Sequence, residues 1–253
     1  MGRAKPLAAM FVVSVGSVMF LSACKEAEAP TPEATVTSKP AATVTAIQPA
    51  IIVSEPRDGA EVTVPLAVSG TASVFEGTVI VSVESADGSE TFCKTFATAT
   101  EGAPGRGAFE AQIAFPPPSQ ATAGRIRVYS ESPKDGSIQD LVTVPITIST
   151  EQPAIVVTSP LCGDEVKSPV TVSGTASVFE AALVVAVKDS LGQELARANV
   201  LASEAGPAMA PFSAELSFSL PGGSQNGSIE AFSTSPRDGS IINLFTVPVT
   251  LFP

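Results

Sequence analysis

The side chains of this 253-residue chain that could do the most chemistry are those of its three cysteines, Cys24, Cys93 and Cys162. They are far apart and form no Cys-x-x-Cys pair, so their spacing predicts neither a zinc site nor a dithiol redox site. The chain has no histidine, and it therefore lacks the commonest general base and the commonest metal ligand. We expect no catalytic residues, no metal site and no cofactor.

Four carboxylates recur in a repeated pattern and are candidates for a binding surface. Glu76 lies in a motif that returns around Glu180, and Asp135 lies in a Ser-Pro-x-Asp-Gly-Ser motif that returns around Asp238. If the two motifs meet at one end of a domain, they form a polar surface for a glycan, a peptide or a cation. This candidate surface comprises Phe75, Glu76, Asp135 and Ser137 in the first copy and Phe179, Glu180, Asp238 and Ser240 in the second.

A structural role for the same residues is the alternative that we favour. In it the phenylalanine closes the end of a hydrophobic core, the glutamate accepts hydrogen bonds from backbone N–H groups of the opposite loop, and Asp-Gly supplies the turn. One glutamate and one aspartate are also fewer oxygen ligands than calcium usually takes. A carboxylate pair could serve a glycosidase, but no other polar cluster accompanies this one.

The first cysteine has an explanation in the N-terminal sequence. Arg3 and Lys5 precede an apolar run over residues 7–21, which is too short for a comfortable membrane span and is typical of a secretory signal. The run ends in Leu-Ser-Ala-Cys, which resembles the lipobox of bacterial lipoproteins, whose cysteine is acylated. We therefore predict a signal peptide over residues 1–23, a lipid anchor on Cys24 that holds the protein on a membrane, and an extracytoplasmic location on the cell surface.

The segment that follows, residues 24–49, is rich in alanine, proline, threonine and glutamate and has no amphipathic period. Such a composition cannot bury enough apolar surface to offset the entropy of ordering, so we predict a disordered tether.

The formal net charge of the chain is −11. This excess of acidic residues disfavours nucleic acid and other polyanions as partners.

The rest of the chain consists of two copies of one module. The sequence Gly-Thr-Ala-Ser-Val-Phe-Glu at residues 70–76 returns without change at 174–180, and flanking motifs return with nearly the same offset. Within each copy apolar and polar residues alternate, which predicts strands. About seven strands in roughly 100 residues indicate an immunoglobulin-like β-sandwich. The predicted fold class is all-β, with one sandwich over residues 50–150 and a second over 153–253.

Both copies carry the pattern I-x-V-x-x-P-x-x-G-x-x-V, then V-x-G-x-A-x-V-F-E, then S-P-x-D-G-S, and a Val-Pro pair in the last strand. This pattern resembles the Gmad family of immunoglobulin-like domains from bacterial spore-germination proteins. The resemblance covers most of the chain beyond the tether. It implies an extracytoplasmic binding or scaffolding domain, and it implies no catalytic activity.

The two remaining cysteines lie in different copies, and neither has a counterpart in the other copy. At the common offset Arg197 stands opposite Cys93, and Asp58 stands opposite Cys162. Two leftover thiols outside the cytoplasm tend to pair, so one hypothesis is a disulfide between the domains. The alternative is two free thiols, because the distance between the two positions does not follow from the sequence.

Two hypotheses for function follow. The first is a non-enzymatic envelope lipoprotein that presents two domains to peptidoglycan, a polysaccharide or another envelope protein, linked to sporulation, germination or cell-wall interaction. The alternative is a ligand sensor or a carboxylate-dependent glycan-active enzyme with a site between the repeats. Asn226-Gly227-Ser228 is formally a glycosylation acceptor, but we interpret Asn-Gly as a turn.

Overall fold

The computed structural model describes residues 48–253, which belong to a compact unit spanning Ile47–Pro253. The predicted signal peptide, Cys24 and nearly all of the tether lie outside the described residues. Each copy of the repeat forms a sandwich of eight strands. The first contains β1 (Ile51–Glu55), β2 (Ala60–Val62), β3 (Leu66–Ala72), β4 (Thr78–Ser85), β5 (Thr91–Thr98), β6 (Gly107–Ile113), β7 (Thr122–Glu131) and β8 (Ile138–Ile148).

The second sandwich repeats these elements in the same order. It contains β9 (Ile155–Ser159), β10 (Glu165–Lys167), β11 (Val170–Ala176), β12 (Ala182–Asp189), β13 (Glu194–Leu201), β14 (Ala210–Leu216), β15 (Gln225–Thr234) and β16 (Ile241–Phe252). A single 3₁₀ turn follows β3 at Phe75–Gly77, and another follows β11 at Phe179–Ala181.

Each sandwich has one sheet of three strands and one of five. The orders are β1-β3-β6 and β2-β8-β7-β4-β5 in the first copy, and β9-β11-β14 and β10-β16-β15-β12-β13 in the second. Neighbouring strands are antiparallel except for β2 with β8 and β10 with β16, which are parallel. The predicted fold class of two tandem immunoglobulin-like sandwiches is confirmed.

The number of strands differs from the predicted seven because the alternating run over residues 62–71, which periodicity predicts as one strand, belongs to two strands in different sheets. Val62, Val64, Leu66 and Val68 are all buried, and this unbroken alternation looks like one strand in the sequence. Pro65 stands in the middle of the run and has no N–H to donate to a sheet. The chain therefore leaves the five-stranded sheet after Val62 and enters the three-stranded sheet at Leu66.

The core is aliphatic and lies between the two sheets of each sandwich. On β4 the side chains of Val79, Val81 and Val83 are fully buried, and Ile126 and Val128 on the neighbouring β7 are fully buried beside them. Branched side chains suit this half-buried pleated surface, because their χ1 freedom is already restricted before they are buried. The inward face of each strand is thus the one that the alternation predicts.

The outward face of the five-stranded sheet carries an ion-pair cluster centred on Glu84. Its carboxylate accepts hydrogen bonds from Arg125 at 2.8 Å, Arg127 at 3.2 Å and Ser82 at 3.0 Å. Burial alone would raise the pKa of Glu84. The hydrogen bonds from Arg125, Ser82 and Arg127 together have the larger effect, so the pKa lies below its usual value. The carboxylate therefore stays ionised in the folded protein.

The second sandwich holds an ion pair at the same place with the charges exchanged. Lys188 on β12 replaces Glu84 on β4, and Glu230 on β15 replaces Arg127 on β7. The ammonium of Lys188 lies 2.7 Å from the carboxylate of Glu230. The sheet geometry thus keeps a charge pair here in both copies but does not specify which strand carries the positive charge.

Candidate functional site

The predicted binding surface lies where the 3₁₀ turn after β3 approaches the loop between β7 and β8. In the first sandwich Phe75, Glu76 and Ile80 line a shallow groove of about 220 Å³ together with Glu131 and Pro133. The predicted proximity of Phe75 and Glu76 to the Ser-Pro-Lys-Asp-Gly-Ser loop is therefore present in this copy. We call this end of each domain the loop-end surface: residues 75–76 with 132–137, and 179–180 with 235–240.

The two phenylalanines of this surface are exposed. Phe75 is 61% exposed and Phe179 is 70% exposed, so the interpretation that they close the core is wrong. Val74 and Val178, each 3% exposed, take that place. The inward alternation of β3 and β11 continues one step past the strand to these valines, and the 3₁₀ turn then points the next side chain outward.

The glutamates of the same turns have a backbone conformation that disfavours L-residues with a side chain. Glu76 has φ of 52° and Glu180 has φ of 54°, in the left-handed region. Both residues are exposed, and among the hydrogen bonds between described residues none involves either carboxylate. The interpretation that they accept backbone hydrogen bonds from the opposite loop is therefore wrong.

The aspartates of the loop-end surface accept hydrogen bonds within their own turns. A carboxylate oxygen of Asp135 accepts hydrogen bonds from the backbone N–H of Ser137 at 3.1 Å and from its hydroxyl at 2.8 Å. Asp238 accepts the same two bonds from Ser240, at 3.1 and 2.7 Å. The hydroxyl bonds and then the backbone bonds lower the pKa of both aspartates. This is the turn role that the structural alternative assigns to Asp-Gly-Ser.

The residue after Glu180 permits a test of the left-handed turn. Ala181 has φ of 57°, whereas Gly77 holds the equivalent place in the first copy with φ of 67°. Because glycine has no Cβ to clash in this region, we expect Ala181→Gly to raise the free energy of unfolding by about 1 kcal/mol, measured by chemical denaturation of the full chain. The matched control is Gly77→Ala, whose Cβ would lie 3.1 Å from the carbonyl oxygen of Ala99. Equal stability of both variants and the parent chain would contradict this account.

The two remaining cysteines are joined in the structure. Cys93 lies on the edge strand β5, Cys162 lies in the turn between β9 and β10, and a disulfide links them with their Cα atoms 5.1 Å apart. Cys93 is 1% exposed and faces the core of the first sandwich. The disulfide therefore joins the β9–β10 turn of the second sandwich to the edge strand β5 of the first sandwich.

The residue opposite Cys93 is Ala196 rather than Arg197. Cys93 pairs with Val83 on β4, and Ala196 pairs with the equivalent Val187 on β12. The turn that joins β4 to β5 is one residue longer than its counterpart between β12 and β13, so the offset between the copies changes before β5.

A second correction concerns Asn226 and Gly227, which lie within β15 rather than in a turn.

Two further properties bear on the kind of site. Within residues 48–253 no helix is long and apolar enough to cross a membrane. In the same part of the chain no three acidic, cysteine or histidine side chains are grouped so that they could hold a metal ion.

The chain is similar in structure to several solved proteins at low identity. It is 14% identical to fibronectin(III)-like modules of Clostridium thermocellum CbhA, with 80% of this chain and 93% of that chain covered and a TM-score of 0.24. It is 16% identical to a tetra-tandem repeat from the extending region of a large adhesion protein, with 76% and 49% covered and a TM-score of 0.28. It is 18% identical to the BSP domain of a biofilm-associated protein, with 79% and 29% covered and a TM-score of 0.25.

No curated protein matches the chain in sequence. A family model described as the immunoglobulin-like domain of bacterial spore germination, Gmad2, matches residues 50–137 and again residues 154–240. Each match covers most of one sandwich, from its first strand through the Asp-Gly-Ser loop. Since the two matches together cover more than half of the chain, the chain belongs to the family of immunoglobulin-like domains of bacterial spore germination.

Proposed function

We propose that this protein is a non-enzymatic, extracytoplasmic lipoprotein whose two immunoglobulin-like domains bind a component of the bacterial cell envelope through their loop-end surfaces. The partner is peptidoglycan, an envelope polysaccharide or another envelope protein, in the setting of germination or cell-wall interaction. The observation that carries the proposal is the exposed Phe-Glu pair, which both copies keep at a place where the fold does not require it.

The other repeated residues of the same motif have structural explanations. Gly70 and Gly174 allow the backbone of a neighbouring strand to approach closely, and Val74 and Val178 close the core. Phe75 and Glu76 contribute to neither task. A left-handed residue with a side chain costs about 1 to 2 kcal/mol, and local strain of this kind is concentrated at functional sites.

A binding role also suits the chemistry of the chain. The sequence holds no histidine, and the two aspartates of the loop-end surfaces are engaged in their turns. An exposed phenylalanine beside an exposed glutamate offers an apolar contact and a carboxylate acceptor to a partner. This arrangement supports a scaffolding or adhesive protein over a hydrolase.

The test of the binding surface uses isolated peptidoglycan sacculi and the full-length chain. We expect the double variant Phe75→Ala, Phe179→Ala to bind sacculi about tenfold more weakly, because aromatic side chains dominate many interfaces. Its thermal stability should be unchanged, since both rings are exposed. Leu201→Ala is the matched control, because Leu201 is 72% exposed and lies outside the repeated motif. Full binding by the double variant would exclude the two phenylalanines from the contact.

The test of the anchor addresses Cys24. The basic residues, the short apolar run and Leu-Ser-Ala-Cys support acylation of this cysteine, and two or more acyl chains hold a protein stably on a bilayer. In cells of the source bacterium, Cys24→Ser is expected to move most of the protein from the membrane fraction to the soluble fraction. The control is Thr31→Ser, which leaves both the N-terminal motif and the Cys93–Cys162 disulfide intact. Unchanged detergent partitioning of Cys24→Ser would exclude a lipid anchor at this residue.

A further inference from the structure

A groove of about 410 Å³ lies between the two sandwiches, separate from the loop-end surfaces. One wall is the edge strand β5, from Lys94 to Thr98, with Gln112 of β6 beside it. The other wall comes from the second sandwich: the turn between β12 and β13 at Asp189 and Ser190, the start of β15, and the outer face of β16. A volume of this size falls within the range of about 300 to 1,000 Å³ that is typical of sites for small molecules.

The polar groups of the groove are mostly uncharged. Hydroxyl and amide side chains line both walls, and they include Thr95, Thr98, Gln112, Asn226, Ser228 and Thr246. Each such group can donate and accept hydrogen bonds, so the lining matches a ligand that is itself rich in hydroxyl and amide groups.

The two charged side chains of the groove already have partners. The ammonium of Lys94 lies 3.5 Å from the carboxylate of Glu131, and Asp189 accepts backbone hydrogen bonds from Leu191 at 2.9 Å and Gln193 at 2.8 Å. Asp189 is the single carboxylate among the described residues that line the groove. The two-carboxylate mechanism of glycoside hydrolysis therefore has no second group there, and the groove is suited to binding rather than cleavage.

An aromatic ring and a strand edge complete the groove. Phe96 is 41% exposed and lies in the β5 wall, and an exposed aromatic ring can stack with an apolar ring face. Because β5 is the last strand of its sheet, one side of its backbone also offers unpaired N–H and C=O groups. Neutral sugars present both chemistries, since a pyranose has an apolar face and a rim of hydroxyl groups.

The Cys93–Cys162 disulfide is attached to both walls. Cys93 is the residue before Lys94, and Cys162 is the residue before Gly163, which lies in the opposite wall. A covalent link at this point fixes the distance between the walls and reduces the entropy that a ligand must overcome to order them. We infer that the groove between the two sandwiches binds an uncharged oligosaccharide and that the disulfide holds it in the binding conformation.

The experiment titrates the full-length protein with three neutral probes, cellohexaose, hexa-N-acetylchitohexaose and maltohexaose, by isothermal titration calorimetry. We expect binding of at least one probe, and no binding of a carboxylated oligogalacturonate hexamer. For the probe that binds, Phe96→Ala should weaken affinity about tenfold, and Asn226→Ala about threefold to tenfold. Leu201→Ala is the control, because Leu201 is 72% exposed and lies outside both the groove and the loop-end surfaces, so its removal should leave the affinity unchanged.

The disulfide is tested with the double variant Cys93→Ala, Cys162→Ala. We expect weaker binding of the neutral probe while the binding of sacculi through the loop-end surface is retained, so the two proposals can fail separately. The groove proposal would be overturned by an absence of binding with all three probes. It would equally be overturned by tighter binding of the carboxylated hexamer, or by full affinity in Phe96→Ala and Asn226→Ala.

Discussion

Replacing Gly70 with alanine is expected to lower the free energy of unfolding of the first sandwich by about 3 kcal/mol or more. The added Cβ would overlap the carbonyl oxygen of Ile52 on β1 and lie 2.9 Å from two ring carbons of Phe109 on β6. The oxygen belongs to a strand that is paired with β3 at this point, so it cannot move without disrupting the sheet. The same overlap recurs at Gly174 with the carbonyl oxygen of Val156 and the ring of Phe212.

The measurement can separate the two sandwiches. The chain has one tyrosine and no tryptophan, and Tyr129 lies on β7, so its fluorescence reports on the first sandwich during denaturation. Gly70→Ala should shift the tyrosine transition to lower denaturant, whereas Gly222→Ala, whose Cβ has no atom within 4 Å, should leave it in place. A tyrosine transition that is unmoved by Gly70→Ala would show that β1 can move away from the added methyl group at no cost in stability.

Removal of the Cys93–Cys162 disulfide is expected to lower the free energy of unfolding by about 4 kcal/mol, the value that the chain-entropy model gives for a loop of this length. The two residues are 69 positions apart, so the bond restricts a long segment of the unfolded chain. Alanine at both positions is the appropriate variant, because Ala196 already occupies the place equivalent to Cys93 in the second sandwich.

Two measurements check this prediction. Mass spectrometry of the non-reduced, alkylated protein from an oxidising compartment should find neither Cys93 nor Cys162 labelled, and two labelled thiols would mean that the bond does not form. In denaturation experiments the wild-type chain with reductant should match the double alanine variant. If reductant instead left the wild-type chain unchanged, the bond would make no contribution to stability.

The parts of the fold that follow from periodicity were predictable from the sequence. Alternating residues such as Val79, Val81 and Val83 identify an inward strand face, and the exact repeat at residues 70–76 and 174–180 identifies two domains. Pro65 is the signal in the sequence for the extra strand, because it has no N–H to donate to a sheet although the alternation of buried residues continues across it. A run with the correct alternation can therefore still change sheets.

The features that depend on turn geometry were not predictable. Glutamate is an uncommon residue in the left-handed region, so nothing at Glu76 indicated that the turn would point Phe75 outward. The offset between the copies is 104 residues up to β4 and 103 from β5 onward, but the repeated motifs do not show that the change precedes Cys93, which places Ala196 opposite it. The groove next to Phe96 arises from how the two sandwiches meet, and alternation within each one contains no information about that.

The exchanged ion pair of the two sandwiches has a consequence for how the chain folds. Tandem domains of similar sequence are prone to strand exchange, in which a strand of one copy pairs with a partner from the other. If β4 joined the sheet of the second copy, Glu84 would lie beside Glu230, and if β12 joined the sheet of the first copy, Lys188 would lie beside Arg125 and Arg127. Like charges at such partly buried positions repel strongly. The opposite polarity of the two pairs therefore disfavours pairing of β4 or β12 with the sheet of the other copy.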